Sequence, residues 1–526
     1  MLNKVLLYYN TLQNMKLSQI CSRIKIKLGG SCGIGVRVSE NYAETLYSLA
    51  IPELDFDPVF IARFPAEELM SDKITILHGS KDFDWKSHWN FEDMSALWNF
   101  NLHYFEYLFS LVKAWKDSGE KKYLEKTFEI ISGWINCNPA GVKPAWASYP
   151  TSLRIGNWIS YFGYTAESMP DEFKKTFLAS LHQQYAYLSR HLEKDILGNH
   201  YFENLKSLLQ ASLFFKDEQM FARVLPLFKA ECEEEILSDG MHFELSPMYH
   251  KIIFEGMLRI ALALRETGKS DEKIESYLQP MLDVAYSFEE GLERVPLFND
   301  GGNNVAKSLD ALLEAADRYF GLKPCLKNRL EAGGFYIFKR KINGHTWKLI
   351  VDAGQPGPAY IPGHAHCDAM SYELFCDGKP VVVNCGTYAY QCKERSFFRS
   401  TAAHNTVMID GTEQSQCWSS FRLAKRSQTK VLEVADNSIT MEMTDWKNRK
   451  AQRKIVLDDT LTVTDTAWGH SLISFIHVLG DLEVNHSSEE QIVKQEYAPD
   501  YGEKETVAVR KLTAKHTVEY KINCDK

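Results

Sequence analysis

The chain has 526 residues, 45% of them hydrophobic and 25% charged, with a formal net charge of −9. This length exceeds one ordinary hydrophobic core and predicts at least two globular domains. The acidic balance lacks the basic surplus typical of nucleic-acid-binding proteins, so we expect no nucleic-acid partner. No run approaches 18 consecutive apolar residues, so we also expect no transmembrane segment.

The beginning of the chain and its cysteines give expectations about location. The first residues lack a sustained apolar run with a small-residue cleavage site, so we expect no signal peptide. The eleven cysteines form no CxxC pair, which favours reduced thiols and a cytoplasmic location, with a periplasmic location as the alternative. The stretch 18–28, SQICSRIKIKL, is basic and amphipathic. We interpret it as a solvated helix face, and a peripheral contact with a membrane surface or a partner is the alternative.

Helical periodicity dominates the first part of the chain. Apolar residues recur at spacings of three and four in 176–193, 201–215, 219–237 and 249–266. Short connections containing Gly, Pro, Asp or Asn separate these segments. The pattern predicts an α-helical domain over 1–325, built from packed antiparallel helix pairs.

Beyond Gly333 the periodicity changes to two. Short runs rich in β-branched and aromatic residues, such as GFYIFKRK, TWKLIVDA, SITMEMTD and TLTVTDTA, alternate with turn residues. Many short strands in succession favour an antiparallel sandwich over a parallel sheet. We therefore predict an α+β multidomain chain, with an antiparallel β-sandwich domain over 326–526.

The sequence WASYPTSLRIGNW begins at Trp146 and combines aromatic rings with a guanidinium group. Trp146, Tyr149 and Arg154 could hold a sugar ring and its acid group. The alternative is a helix N-terminus capped by Thr151 or Ser152, with Arg154 in a structural ion pair.

The sequence GNHYFENLKSLL at 198–209 places an amide, an imidazole and a carboxylate at helical spacing. Asn199, His200 and Glu203 would share one face of a helix and could point into one cleft. The alternative is that Asn199 caps the helix and that His200 lies on its rim.

A second helix is predicted to begin at Ser246-Pro247, with Tyr249 in its first turn. A helix N-terminus eases the deprotonation of a tyrosine and attracts anionic ligands. The alternative is a half-buried tyrosine whose hydroxyl is hydrogen-bonded within the protein.

The stretch 363–373, GHAHCDAMSYE, places His364, His366 and Asp368 at alternate positions with small residues between them. Alternate residues of a strand share a face, so we expect a strand that presents these three side chains together. With His404 from a neighbouring strand, the histidines have a spacing that permits zinc binding. The alternative is a hydrogen-bonded histidine network that stiffens the sheet.

Six motifs together resemble the heparinase II/III family of polysaccharide lyases along most of the chain. They are WNFNLHYFEYL (98–108), WASYPTSLRIGNW, GNHYFENLKSLL, SPMYH, FNDGG (298–302), and the run from GHAHCDAMSYEL to FRSTAAHNTVMIDG. The resemblance implies an incomplete (α/α) toroid followed by an antiparallel β-sandwich. It also implies cleavage of uronic-acid polysaccharides by β-elimination.

The resemblance assigns roles to particular residues. Asn199 and His200 would face the uronate carboxylate, Tyr249 would transfer protons, and His364 would complete the site. Glu203 matches a carboxylate that accompanies the histidine in some members. The candidate substrate-binding groups are the polar and aromatic side chains of the same clusters: Trp146, Tyr149, Arg154, Glu203, Tyr390, Arg395 and Arg399.

Some members of the family hold a zinc ion in the sandwich domain, and the matching positions are His366, Asn384 and His404. Asn384 departs from the family pattern, because a neutral amide is a poor substitute for a carboxylate ligand. Asp368 is a candidate to compensate. The retained histidines favour zinc and the amide disfavours it, so the sequence leaves metal binding open. We expect no organic cofactor.

The leading hypothesis is therefore a carbon–oxygen lyase that acts on a uronate-containing acidic polysaccharide or oligosaccharide, within surface-polysaccharide biosynthesis. One alternative is a catalytically weak carbohydrate-binding or assembly protein. Another is a glycoside hydrolase, for which Glu203 and Glu244 are candidate acids. The sugar, the cleavage pattern and the identity of the general base stay open.

Overall fold

The computed structural model describes residues 2–40 and 49–524. Helices form most of the chain as far as Phe320, and strands form most of it from Arg329 onward. This order gives an α+β fold, as the change of periodicity predicts. The domain division at residue 325 stays a prediction.

The helices of the described residues are numbered in chain order. They are α1 (Leu2–Leu12), α2 (Leu17–Lys27), α3 (Pro52–Asp55), α4 (Pro58–Ile61), α5 (Ala66–Met70), α6 (Ala96–Leu102), α7 (Leu108–Ser118), α8 (Lys121–Cys137), α9 (Ser148–Thr165), α10 (Asp171–Leu188), α11 (Asn199–Phe214), α12 (Glu218–Glu235), α13 (Pro247–Glu266), α14 (Glu272–Glu275), α15 (Leu278–Glu289), α16 (Leu309–Phe320) and α17 (Arg395–Phe398). Within the described ranges, no helix is both long and apolar enough to cross a bilayer.

Helix α11 lies at the centre of the helical part. It packs against α9, α12 and α13, and of its residues only His200 is not fully buried. A helix that is buried on all sides is normally apolar all round. Helix α11 instead carries the polar residues Asn199, Glu203 and Lys206, which are buried inside the protein. Buried polar groups need partners, so these residues mark the place where polar side chains converge.

Helix α13 begins as the sequence predicts. Ser246 is the N-cap, its Oγ accepts a hydrogen bond from the backbone N–H of Tyr249 at 3.2 Å, and Pro247 is the first helical residue. The cap satisfies a backbone donor that has no partner within the helix. It also fixes Tyr249 in the first turn, with its ring directed towards the sheets.

The strands are also numbered in chain order. They are β1 (Lys73–Ile76), β2 (Gly79–Asp82), β3 (Arg329–Leu330), β4 (Phe335–Ile342), β5 (His345–Asp352), β6 (Tyr372–Cys376), β7 (Lys379–Val382), β8 (Val407–Ile409), β9 (Cys417–Trp418), β10 (Arg422–Leu423), β11 (Gln428–Val434), β12 (Ser438–Thr444), β13 (Lys450–Leu457), β14 (Thr460–Thr466), β15 (Leu472–Val478), β16 (Val484–His486), β17 (Glu489–Tyr497), β18 (Glu505–Ala514) and β19 (Thr517–Asn523).

Two larger sheets hold most of these strands. One has the order β17-β18-β15-β7-β6-β5-β4-β3, with β8 paired to β15, and the other has the order β11-β12-β13-β14-β19-β16. Neighbouring strands in both sheets are antiparallel. One apolar core draws Trp347 and Leu374 from the first sheet and Met441 and Tyr520 from the second, so these side chains join the two sheets.

A separate apolar core joins the helical part to the first sheet. Met241 and Phe288 from the helical part pack there with Phe335, Ile350 and Phe375 from the strands. This contact fixes the helix ends that carry Asn199 and Tyr249 against the loops of the first sheet. The functional residues lie beside this junction.

The stretch 363–371 is not a strand, and this part of the sequence-based prediction is wrong. It runs as an irregular segment with a turn at Ala369-Met370, and β6 begins only at Tyr372. The alternation of side chains is nevertheless real. His364 and His366 both reach Asp300, whereas the intervening Ala365 and the following Cys367 are buried away from it.

Candidate active site

A cavity of about 810 Å³ opens between the helical part and the loops of the first sheet. The ends of α11 and α13 and the segment before β6 contribute its polar groups. The side chains predicted as catalytic all line it, together with three of those predicted to bind substrate. These are Asn199, His200, Tyr249, His364, Tyr149, Glu203 and Tyr390.

Asn199 is held in place by Glu244. Its Nδ2 donates to Glu244 Oε2 at 2.8 Å, and its backbone N–H donates to Oε1 of the same carboxylate at 3.2 Å. The preceding Gly198 makes this approach feasible, because it has a φ of +58° and a Cβ there would lie 2.5 Å from Glu244 Oε1. Gly198, and not Asn199, is the N-cap of α11, so Asn199 is free to present its amide to the cavity.

The imidazole of His364 lies between the helical part and the sheets. Its Nδ1 faces Asp300 Oδ2 at 2.8 Å, and its Nε2 faces Asn199 Nδ2 at 3.1 Å. A carboxylate only accepts, so Nδ1 carries the proton and Nε2 presents its lone pair. The second proton of the Asn199 amide donates to that lone pair. The two shorter contacts therefore favour the tautomer that can accept a proton at Nε2, and Glu244 Oε2 lies farther from this nitrogen, at 3.6 Å.

Asp300 is the centre of a buried network that holds this tautomer. Arg395 pairs with both carboxylate oxygens, and His364, His366 and Thr387 donate to them as well. Burial alone would raise the pKa of Asp300, but the Arg395 charge and the imidazole hydrogen bonds hold it well below its usual range. The carboxylate is therefore ionised and orients the imidazole of His364.

Tyr249 lies directly against His364. Their ring centroids are 4.0 Å apart, and the Tyr249 hydroxyl is 2.6 Å from that of Tyr390, which is 2.7 Å from that of Tyr501. Burial, with the nearby charge of Asp300, raises the pKa of Tyr249 well above its ordinary value. Tyr249 is therefore protonated near neutral pH, at one end of a chain of three hydroxyl groups.

His200 lies on the wall of the cavity and is half-buried. Its Nδ1 is 3.0 Å from Glu193 Oε1, and its ring is 4.4 Å from that of Tyr149. Burial alone would lower the pKa of His200, but the charge and the hydrogen bond of Glu193 raise it above its ordinary value. The arrangement favours an imidazolium that offers Nε2–H to the cavity.

Glu203 lies deeper in the cavity and forms an ion pair with Lys206 at 2.6 Å. Burial raises the pKa of Glu203, and Lys206 offsets part of this increase. Glu203 is thus paired with a cation, and Glu244, the other candidate acid for hydrolysis, is bound by Asn199.

Trp146 and Arg154 do not line the cavity, which corrects their prediction as sugar-contacting groups. Trp146 is buried against Trp134, and its Nε1 donates to the carbonyl of Asn138 at 2.9 Å. Arg154 is also buried, and its Nε donates to Gln184 at 2.7 Å. Both side chains stabilise the helix packing behind the site.

Arg395 and Arg399 are likewise buried outside the cavity lining. Arg395 forms an ion pair with Asp300 on the side of the carboxylate that faces away from the cavity. Arg399 donates to the carbonyl of Ala365 at 2.8 and 3.0 Å and to the carbonyl of Ser419 at 3.1 Å. They position the segment that carries His364 and do not reach the space where a substrate would lie.

His366, Asp368 and His404 form a group that could hold a metal ion. Their ligand atoms lie within 4.8 Å of one another, and all three residues are buried. His366 Nε2 faces Asp300 and His404 Nδ1 faces the carbonyl of Ser400, so each nitrogen facing an acceptor carries its proton. The two remaining nitrogens then bring lone pairs to within 3.0 Å of each other, an arrangement that a bound cation would relieve.

Asn384 was predicted as the third ligand of this group. Its Oδ1 instead accepts a hydrogen bond from the backbone N–H of Asn405 at 3.1 Å. The carboxylate next to the two imidazoles belongs to Asp368, whose proximity the sequence left open. The donor set of two imidazoles and a carboxylate fits zinc.

Three residues at the site have no role in the sequence-based assignment. Asp300 orients His364, Glu244 orients Asn199, and Tyr501 ends the chain of hydroxyl groups. Asp300 lies in the FNDGG motif, and Glu244 was considered only as an acid for hydrolysis. The signal that could have found Asp300 is an Asp-Gly turn between two buried apolar segments.

Curated proteins with similar sequences are heparin-sulfate lyases. The chain is 25% identical over 365 residues to that of Pedobacter heparinus, covering 63% of this chain and 54% of the relative. It is 22% identical over 432 residues to that of Bacteroides stercoris, covering 72% and 62%. The chain therefore spans between about half and two thirds of the length of these relatives.

Solved structures share the fold. A crystal structure of heparinase III superposes with a TM-score of 0.69 at 16% identity, covering 92% of this chain and 87% of that chain. The heparan sulfate lyase HepC from Pedobacter heparinus superposes with a TM-score of 0.56 at 18% identity, covering 99% and 88%. At this level of identity the superpositions show a common fold only.

Two family models match adjoining parts of the chain. The heparinase II/III N-terminus matches residues 57–327, and the heparinase II/III-like C-terminal model matches residues 324–493. The first alone covers more than half of the chain. With the fold and the clustering of the motif residues around one cavity, these matches show that the chain belongs to the heparinase II/III family.

Proposed function

We propose that this protein is a polysaccharide lyase, which cleaves a uronate-containing acidic polysaccharide or oligosaccharide by β-elimination. One observation carries the proposal. Asn199, Tyr249 and His364 meet at one end of the cavity, with 3.1 Å between Asn199 Nδ2 and His364 Nε2 and with the rings of Tyr249 and His364 in contact. An amide donor, a proton donor and a proton acceptor are the groups that this elimination requires.

In the proposed reaction, His200 and Asn199 bind the uronate carboxylate. The imidazolium of His200 supplies positive charge in a largely buried cavity, where it stabilises developing negative charge more than it would in water. The Asn199 amide exchanges its hydrogen bond to His364 for one to the carboxylate. This exchange acidifies the C5–H bond of the substrate and frees the lone pair of His364 Nε2 in the same step.

His364 then acts as the general base. Its Nε2 removes the C5 proton, and the electron pair of that bond forms the double bond between C4 and C5. Asp300 stabilises the imidazolium that results, because its ionised carboxylate accepts from Nδ1–H. No atom of Asp300 contacts the substrate in this scheme.

Tyr249 acts as the general acid. The bond between C4 and the leaving oxygen breaks, and that oxygen receives the phenolic proton. Tyr390 and Tyr501 continue the hydroxyl chain, through which Tyr249 is reprotonated. The assignment follows from the raised pKa of Tyr249, since a tyrosine that holds its proton suits the acid better than the base.

The proposal extends to the metal and to the setting of the reaction. Zinc held by His366, Asp368 and His404 would be structural, because Asp300 lies between His366 and the reacting groups. The proposal also places the protein in a reducing compartment, the cytoplasm, and the absence of a CxxC pair among its eleven cysteines supports this. Within surface-polysaccharide biosynthesis, such an enzyme would trim a polymer. The (α/α) toroid and β-sandwich arrangement belongs to the same proposal.

The direct test is to incubate the protein with a panel of uronate polymers and oligosaccharides. β-Elimination leaves a conjugated 4,5-unsaturated uronate that absorbs in the ultraviolet. New reducing ends without this absorbance would contradict the lyase and support a hydrolase. Binding without any cleavage would support a carbohydrate-binding protein, and the variant His364→Ala supplies the negative control.

A further inference from the structure

Helices α1 and α2 carry most of the exposed apolar side chains of the described residues. Fifteen large apolar or aromatic side chains are exposed in the described ranges, and nine of them lie between Val5 and Leu28. Single exposed apolar residues are normal on a globular protein. A concentration of this kind indicates an interaction surface.

Seven of these nine side chains, together with Cys21, form one stripe on each helix, whereas Leu6 and Ile26 lie outside the stripes. The spacing on α1 is i, i+3, i+4, i+7 and that on α2 is i, i+4, i+7, i+11, which places each set on a single helix face. The stripe on α2 includes Leu17 and Leu28, which are 75% and 83% exposed. The two stripes are Val5, Tyr8, Tyr9 and Leu12 on α1, and Leu17, Cys21 and Ile24 on α2 with its C-cap residue Leu28.

Polar side chains anchor the opposite side of the two helices. Thr11 Oγ1 accepts from Trp418 Nε1 at 3.0 Å, and Gln19 Nε2 donates to the carbonyl of Ile196 at 2.9 Å. These contacts tie α1 to the sheet part and α2 to the helical part. The orientation of both helices is therefore fixed. Their apolar stripes are exposed, and within them the Tyr8 ring also packs edge-on against Trp418, with ring centroids 4.9 Å apart.

The charged residues of this N-terminal segment have one sign, and Lys16 pairs with Glu234 of α12. Residues 1–39 contain six basic residues and no acidic residue, although the whole chain has a net charge of −9. Lys4, Lys25 and Lys27 are exposed, and none forms an ion pair with a carboxylate of the described residues. The six basic residues are Lys4, Lys16, Arg23, Lys25, Lys27 and Arg37.

We propose that α1 and α2 dock on the surface of an anionic lipid bilayer. The apolar stripes would lie among the headgroups, with the lysines on lipid phosphates, as in interfacial amphipathic helices. A second copy of the chain fits less well. A two-fold interface would place the same patch against itself and bring Lys25 and Lys27 close to their own counterparts.

Docking would place the cavity close to the bilayer. Thr11, Met15, Gln19 and Arg23 line the cavity from the inner side of the helices whose outer side carries the stripes. One helix diameter, about 10 Å, then separates the cavity from the lipid surface. This position suits a saccharide that is attached to a lipid. That consequence rests on the proposed function, whereas docking itself does not.

The test is sedimentation of the purified full chain with vesicles of phosphatidylcholine, with and without phosphatidylglycerol. We expect binding to the mixed vesicles and its loss at high salt. The double variant Leu17→Asp/Ile24→Asp, and separately Lys25→Glu/Lys27→Glu, should each lower the partition onto mixed vesicles about tenfold or more. Matched controls on exposed sheet positions, Leu432→Asp/Ile492→Asp and Lys430→Glu/Lys494→Glu, should bind like the unmodified chain.

A spectroscopic readout locates the contact. An environment-sensitive fluorophore on the exposed Cys21 should shift to the blue with mixed vesicles, whereas one on the exposed Cys325 should not. Absence of vesicle binding, or equal losses in the control variants, would overturn the proposal. A dimer that Leu17→Asp/Ile24→Asp dissociates, without vesicle binding, would assign the surface to a second copy. None of these outcomes depends on lyase activity.

Discussion

Tyr249 and His364 lie with their ring centroids 4.0 Å apart, although they come from different parts of the fold. Tyr249 belongs to the first turn of α13, and His364 belongs to the irregular segment that precedes β6. The proposed acid and base are therefore in contact only when the helical part packs on the first sheet. This junction makes the activity depend on the integrity of the whole fold.

Replacing Tyr249 by phenylalanine removes the proposed acid and keeps the ring against His364. We expect kcat to fall about 10²- to 10⁴-fold, the usual contribution of general acid–base catalysis, with little change in substrate binding. Ultraviolet absorbance of the unsaturated product measures the rate. Tyr388→Phe is the matched control, because Tyr388 lines the same cavity but lies outside the chain of three hydroxyl groups, so this variant should keep most of the activity. An unchanged kcat in Tyr249→Phe would exclude the acid role.

Much of the fold could be predicted from periodicity. Apolar residues at helical spacing predict α10 to α13, and period-two alternation predicts strands such as β12 to β14. The prediction failed at 363–371, where alternate side chains share a direction although the segment is not a strand. There, both imidazoles turn towards Asp300, and this hydrogen bonding replaces pairing with a neighbouring strand.

The candidate site was only partly predictable, for a physical reason. Asn199 and Tyr249 lie at helix starts, where local spacing already indicates a shared direction. Asp300 is 64 residues from His364 and 95 from Arg395, so only tertiary packing brings them together. For the same reason, spacing alone could not show that Arg154 is buried behind the site.

The buried pair of Asp300 and Arg395 should be important for stability. Replacing Arg395 by methionine would leave an uncompensated carboxylate in the interior, which typically costs about 3–5 kcal/mol of unfolding free energy. Urea denaturation measures the loss. Arg340→Met breaks the exposed pair with Asp458 and should cost about 1 kcal/mol or less. Equal losses of unfolding free energy in Arg395→Met and Arg340→Met would show that the buried pair stabilises the fold no more than the exposed pair does.

The zinc content of variants tests whether Asp368 or Asn384 is the third ligand of the proposed metal site. Elemental analysis of the purified protein should find zinc at about one ion per chain. His366→Ala and Asp368→Asn should each lower the zinc content, because each removes a proposed ligand. Asn384→Ala is the matched control and should keep the metal. Loss of zinc in Asn384→Ala but not in Asp368→Asn would reverse the assignment of the third ligand.

The ion pair of His200 with Glu193 predicts a pH dependence of substrate binding. Glu193 raises the pKa of His200, so the imidazolium persists above the ordinary value of about 6.5 and KM should rise as pH passes the raised pKa. Glu244, Asp195 and Tyr149 also face this ring. Glu193→Gln keeps a hydrogen-bond acceptor but removes the charge, so the rise in KM should move to lower pH.

The same pair predicts how the stability of the protein changes with pH. A raised folded-state pKa contributes stability that is fully present below the unfolded pKa and is lost as pH rises through the folded pKa. Glu193→Gln should therefore lower the unfolding free energy most at mildly acidic pH, and the difference from the unmodified chain should shrink at alkaline pH. Thermal melts across this range, with an NMR titration of the His200 imidazole, measure both effects. An imidazole that titrates identically in the two proteins would show that Glu193 does not control the charge of His200.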